Sequence, residues 1–140
     1  MSVLVLDLSV VIKWFVPEVH SEAAVRLLRE SHHYLAPDLL FAELGNVVWK
    51  KVRREELSSA DAQRLIHDLC NIAVEPVPSR TLLADALRLA VLTGRTVYDA
   101  LYLALAVRLE TCVITADARF HNAVAANRSL AQHVQLLALR

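Results

Sequence analysis

Two glycines among 140 residues are too few for a Gly-rich phosphate loop, a propeller, or an all-β sandwich turning tightly every few residues. Aromatic residues make up only 6% of the chain, so Leu, Ala and Val must fill the core. The two cysteines, Cys70 and Cys112, lie far apart and form no C-x-x-C or Cys/His pattern. They read as small buried apolar residues, reduced in the cell. The six histidines are scattered; His32 and His33 are adjacent, but none has a zinc-type spacing, and all read as surface or loop positions. Net charge is zero, which argues against holding nucleic acid by bulk electrostatics while leaving room for a local basic patch. No apolar stretch approaches the roughly 20 residues of a spanning helix. Asp7 and Lys13 interrupt the first such run, and Asp85, Arg88 and Arg95 the later ones. The leading segment has no basic start and carries Asp7 inside its apolar part, unlike a signal peptide, so a cytoplasmic location is expected.

What is present is apolar: 56% of residues are hydrophobic, and mean hydropathy is positive. The length suits one domain, 1–140, with a core that needs no disulfide or metal staple. Residues 2–7 read as a fully buried strand, rich in Val and Leu. Ser9–Phe15 and His20–Ser31 read as helices, Tyr34–Ala36 as a short strand, and Pro37–Asp38 as the start of a helix to about Arg54. Ser58 caps a helix to Cys70, Ile72–Val77 is strand-like, and Ser79 caps a helix stopped by Gly94. Thr96 caps a helix to Glu110, Thr111–Thr115 is a strand, Asp117–Ala126 a helix, and Val134–Leu137 the last strand. Strands alternating with helices predict an α/β sandwich of three layers, α/β/α, around a mostly parallel sheet.

Four carboxylates stand out against this background. Asp7 ends the first strand, Asp117 follows the TCVIT strand, Asp99 lies in the first turn of TVYDALYLALAV, and Glu43 lies one turn into its helix among Leu40, Phe41, Leu44 and Val47. Each has an ordinary explanation as a helix cap, a partner for a helix dipole, or a residue on a solvated face. Together they fall where an open parallel sheet binds ligands, beyond the carboxyl ends of its strands. Four carboxylates in one crevice repel one another unless a divalent cation neutralises them. An all-oxygen set with no His or Cys suits Mg²⁺ or Mn²⁺, ions that serve phosphoryl chemistry.

The same residues resemble the PIN-domain ribonucleases, specifically the VapC toxins of type II toxin–antitoxin pairs. DLSVVIKWF with PEVHSEAA resembles the first motif of that family, placing its Asp at Asp7 and its Ser or Thr at Ser9. APDLLFAELGNVVWK resembles the second, through Pro37, Glu43 and Asn46. TVYDALYLALAVRLE resembles the third, with Asp99, and VITADARF the fourth, with Thr115 and Asp117. The resemblance implies a Mg²⁺- or Mn²⁺-dependent endoribonuclease that acts as a homodimer on structured RNA such as transfer or ribosomal RNA. It also implies a VapB-type antitoxin whose C-terminal segment lies over the active site. By carry-over, Asp7, Glu43, Asp99 and Asp117 hold one or two metal ions, with Asp7 the most central ligand and Asp117 placed to act through water. Ser9, Asn46 and Thr115 then orient carboxylates or waters, although capping and ordinary backbone bonds explain Ser9 and Thr115 equally well.

Lys13, Arg95 and Arg119 lie close in sequence to the acids and are candidate RNA phosphate contacts. The run Lys50, Lys51, Arg53 and Arg54 is explained as well by the helix C-terminus as by RNA. Trp14, Phe15 and Trp49 suit core or dimer packing better than base stacking. A haloacid-dehalogenase reading fails because Ser9 stands where a second Asp is needed, and a response-regulator reading fails for want of a late-strand Lys. A binding module that does not cut, and a DNA flap-type nuclease, remain as alternatives.

Overall fold

A computed structural model describes residues 2–140. Strand β1 (Ser2–Leu6) buries Leu4, Val5 and Leu6 in succession. Successive strand residues face opposite sides, so three buried in a row require cover on both faces of the sheet. β1 accordingly lies at the centre. With β2 (His32–Pro37), β3 (Val74–Val77), β4 (Val113–Thr115) and β5 (Val134–Leu136), it forms a parallel sheet in the order β3-β2-β1-β4-β5. The register pairs Leu4 with Tyr34 on one side and Leu6 with Ile114 on the other.

The connections are helical, as parallel strands require. They run through α1 (Leu8–Val11), α2 (Ser21–Leu28), α3 (Leu39–Arg53), α4 (Ser59–Cys70), α5 (Leu83–Thr93), α6 (Val97–Arg108) and α7 (Ala118–Ala125). The result is the expected three-layer α/β/α fold. Helix α6 is its spine: Ala100 through Ala106 are all buried, and the helix packs against β1, β2 and β4. That all-round apolar surface belongs to a helix inside the protein. Among the described residues, no single helix is long and apolar enough to cross a membrane.

The chain builds the sheet outward from β1 through β2 to β3, then returns to the other side of β1 for β4 and β5. The reversal lies between β1 and β4, and the crevice beyond such a reversal is where open α/β sheets bind ligands. Asp7 follows β1, while Thr115 ends β4 and Asp117 follows it.

Several local expectations change. The helix expected over Ser9–Phe15 is four residues of α1 followed by a 3₁₀ turn at Ile12–Trp14. Parallel pairing with β1 extends the second strand to His32–Pro37, and the third shortens to Val74–Val77. Asp38 does not cap α3 with its side chain; Oδ1 instead accepts hydrogen bonds from Ser79 N at 3.0 Å and Ser79 Oγ at 2.6 Å. Ser79 is thereby diverted from capping α5, which is entered through a 3₁₀ turn at Ser79–Leu82. Ser58 and Thr96 cap as expected, accepting from Asp61 N and Asp99 N. Gly94 ends α5 at φ 75°, a left-handed conformation that suits glycine. Cys70 is exposed and Cys112 half-buried, so the expectation that both are buried fails: Cys70 is the last residue of α4, and Cys112 lies just ahead of β4.

Candidate active site

Asp7 sits in extended backbone at the step from β1 to α1, still bonded to the neighbouring strand through its N–H and Ile114 O at 3.1 Å. Only 8% of its surface is exposed. Its Oδ2 accepts from Ser9 Oγ at 2.7 Å and from Thr115 Oγ1 at 2.8 Å. These two hydroxyls also receive backbone donors: Ala116 N reaches Ser9 Oγ at 2.9 Å, and Asp117 N reaches Thr115 Oγ1 at 3.1 Å. Ser9 and Thr115 therefore orient Asp7 and join the ends of β1 and β4, rather than capping helices. Burial pushes the Asp7 carboxyl above the usual carboxylate range; the two hydroxyls pull it back, and the Asp99 charge adds to the rise.

Glu43 reaches the same crevice from α3, and its Oε1 accepts from Tyr102 Oη at 2.6 Å. Burial raises its pKa; Tyr102 opposes the rise, and the charges of Asp7 and Asp99 add to it. Tyr102 itself is held far above an ordinary phenol by burial and the Glu43 charge, so it stays a donor. Sequence reasoning passed over Tyr102. Its signal was a polar-tipped residue inside the apolar stretch Ala100–Ala106, three positions after Asp99 and so on the same face.

The rim of the crevice is organised differently. Asp99 Oδ2 accepts from Arg95 Nε at 3.1 Å and lies 2.9 Å from Arg95 Nη2, which is also 3.5 Å from Asp117 Oδ2. Asp117 caps α7 through Oδ1, accepting from Arg119 N at 2.9 Å and Phe120 N at 3.3 Å. The Asp99 charge thus reaches both Asp7 and Glu43, and the Asp7 charge reaches Glu43, while Asp117 joins them through Arg95 and Thr115. Asn46 is exposed and makes no hydrogen bond to any of the four acids among the described residues. Lys13 pairs with Glu18 at 3.2 Å, and Arg119 is exposed at the start of α7. Among the described residues, Arg119 meets Asp117 through its backbone N–H, and of the three candidate phosphate contacts only Arg95 reaches the acids with its side chain.

A divalent cation suits this donor set chemically. The donors are all carboxylate oxygens, and among the described residues Asp7 and Glu43 have only neutral hydrogen-bond partners, which leaves their negative charge uncompensated. As they are posed, no three His, Cys, Asp or Glu side chains among the described residues stand close enough to share one ion. Arg95 instead pairs Asp99 with Asp117 at the rim. A recess of about 610 Å³ between α5 and α6, lined by Leu89, Leu92, Ala104 and Val107 among others, includes none of the four acids.

Comparison with known proteins agrees with this architecture. The PIN domain family matches residues 4–125, so the chain belongs to the PIN-domain family. Ribonuclease VapC3 of Pyrobaculum aerophilum is 34% identical over 116 residues, covering 81% of this chain and 88% of that protein. The crystal structure of PAE2754 from Pyrobaculum aerophilum superposes with a TM-score of 0.69 at 25% identity, over 99% of this chain and 94% of that one. VapBC2 from Rickettsia felis, solved bound to a DNA fragment from its promoter, shares the fold at TM-score 0.61 and 10% identity, over 96% of this chain and 98% of that one. The likeness to VapC proteins carried by the four motifs thus extends over most of the chain.

Proposed function

We propose that the chain is a VapC-type endoribonuclease, the toxin of a toxin–antitoxin pair, hydrolysing phosphodiester bonds of structured RNA such as transfer or ribosomal RNA. The observation that carries this reading is Asp7: a buried carboxylate with no cationic partner among the described residues, at the reversal of an open parallel sheet, beside Glu43 and Asp99. The 34% identity to a ribonuclease supports the same activity.

In this reading Asp7, Glu43 and Asp99 hold Mg²⁺ or Mn²⁺, with Asp117 at the edge of the site. When bound, the ion supplies Lewis-acid stabilisation of charge on the phosphate and the leaving 3′-oxygen, and favours ionised water. The chain itself binds and orients. Ser9 and Thr115 fix the Asp7 carboxylate, Tyr102 fixes Glu43, and Arg95 at the rim and Arg119 at the start of α7 serve as phosphate contacts, with Lys13 a further candidate. A VapB-type antitoxin is the natural partner of such a toxin, and the partly exposed rim acids Asp99 and Asp117 leave the crevice mouth accessible to a covering peptide. A homodimer belongs to the same proposal. Leu83, Leu87, Val91 and Leu92 lie exposed along α5, edged by Asp85 and Arg88, which gives a second copy an apolar face with charges of both signs at its border.

The test is cleavage of total cellular RNA by purified, antitoxin-free protein with Mg²⁺ or Mn²⁺, with EDTA, and with Asp7→Asn. Discrete fragments that vanish with both EDTA and the variant are expected. Fragments that persist in EDTA would sink the cation-dependent reading. A folded protein that takes up Mn²⁺ yet cleaves no RNA would favour a module that binds without cutting.

A further inference from the structure

Arg95 lies in the short turn between Gly94 and Thr96, immediately ahead of α6. A helix N-terminus carries partial positive charge, so helix electrostatics disfavour a guanidinium there. What holds it is the pair of carboxylates: Asp99 on α6, at 2.9 and 3.1 Å, and Asp117 before α7, at 3.5 Å. Its side chain is only 25% exposed, and its guanidinium carbon lies 6.0 Å from the centre of the Phe120 ring. One cation therefore bridges two of the four acids, from two different elements, in the mouth of the crevice. The remaining two, Asp7 and Glu43, pair with no cation among the described residues.

We propose that Arg95 is the protein's own exchangeable counter-cation: it neutralises Asp99 and Asp117 in the metal-free protein, and uptake of a divalent cation must displace it from Asp99. This rests on reading the acidic crevice as a divalent-cation site. It explains why the acids fit such a cation chemically yet do not converge as they are posed. Asp99 has two competing claims on it, and the ion pair with Arg95 opposes cation uptake. Arg95 thus acts as a positioning residue that sets the cation affinity of the site. Its release also leaves a guanidinium at the mouth of the crevice, free to meet a phosphate only once the cation is in place, so that loading of the cation and readiness for RNA become linked.

The experiment is calorimetric titration of Mn²⁺ into the metal-stripped full chain at low ionic strength, with no RNA present. Wild type, Arg95→Ala, Arg95→Gln, Arg95→Lys and Asp7→Asn are compared. Arg95→Ala and Arg95→Gln are expected to bind Mn²⁺ more tightly, on the order of three- to ten-fold, the scale of one partly exposed ion pair. Arg95→Lys keeps the charge and is expected to stay close to wild type. Mn²⁺ is also expected to raise the melting temperature of Arg95→Ala and Arg95→Gln more than that of wild type, which a merely structural arginine would not produce. Arg95→Gln covers the case in which alanine loosens the turn. Equal or weaker Mn²⁺ binding in both neutral variants, with binding still lost in Asp7→Asn, would overturn the role of Arg95 and leave the cation site standing. Tighter binding in Arg95→Lys equal to that in Arg95→Ala would overturn the charge-based account. No Mn²⁺ binding by any of the proteins would overturn the cation site and this proposal with it.

Discussion

Asp7 and Asp117 follow adjacent strands, yet they are held in opposite ways. Asp7 is buried, accepts from two neutral hydroxyls, and has its charge opposed by burial and by Asp99. Asp117 keeps 42% of its side chain exposed, accepts two backbone N–H groups as a helix cap, and shares a guanidinium with Asp99. The inner half of the crevice is therefore short of positive charge, and the rim half is already satisfied. Asp7 and Glu43 are the part of the site that costs the fold something, and a group whose burial is unfavourable in the protein alone points to a ligand that relieves it. Asp117 serves the fold whether or not any ligand is present.

The largest expected effect sets the two acids directly against each other. Asp7→Asn is expected to lower RNA cleavage on the order of 10³-fold while raising the melting temperature of the metal-free protein, because it removes an uncompensated buried charge. Asp117→Ala is expected to do the reverse in stability, losing about 1 kcal/mol with its cap. Initial cleavage rates beside thermal melts check both, and shifts of the same sign for the two variants would break the comparison.

Next in size is Thr115→Val, which keeps the shape of a fully buried side chain but removes a donor from Asp7 and the acceptor of Asp117 N–H. Its Mn²⁺ affinity is expected to fall about 10- to 100-fold, as for other lost partners of metal ligands. Titration calorimetry reads this directly.

The inner half also predicts a pH dependence. Asp7 and Glu43 keep their protons to higher pH than carboxylates of the unfolded chain. Their share of the metal-free stability is therefore greatest on the acid side of these raised pKa values and declines as pH rises through them. Cation uptake must release those protons, so Mn²⁺ affinity is expected to climb with pH over the same window and level off above it. Titrations in buffers of differing ionisation enthalpy measure the proton count. The smallest effect belongs to Tyr102→Phe, which removes one donor from Glu43; a few-fold loss of cleavage rate with a folded protein is expected.

Most of the fold was legible because the signals were local. A Val- and Leu-rich run marked β1, short apolar or β-branched runs marked the other four strands, and Ser58, Thr96 and Gly94 marked helix ends that the structure keeps. Boundaries failed where tertiary partners outbid local chemistry. Ser79 and Asp38 bond to each other across 41 positions instead of capping their own helices, and β2 lengthens because β1 offers it a partner from Ser2 onward. The acids were legible as strand-end and helix-start carboxylates, and the sheet brings Asp7, Glu43 and Asp99 into one another's field. What spacing alone did not reveal was the division of labour among them. Tyr102 and Arg95 supply that division. Tyr102 reaches Glu43 across 59 positions, and Arg95 reads as a candidate phosphate contact until its distances to Asp99 and Asp117 are known.

Helix α6 carries a consequence of another kind. Seven consecutive buried residues make it the principal packing element of the domain, and the same helix delivers Asp99 from its first turn and Tyr102 from its second. Interior and crevice therefore ride on one rigid rod. An added methylene at Ala100 or Ala104 moves not only the neighbouring strands but also the carboxylate and the phenol at the reacting end. Selection cannot retune the interior of this helix and the chemistry of the crevice separately, so changes in bulk along α6 are expected to arrive in compensating pairs.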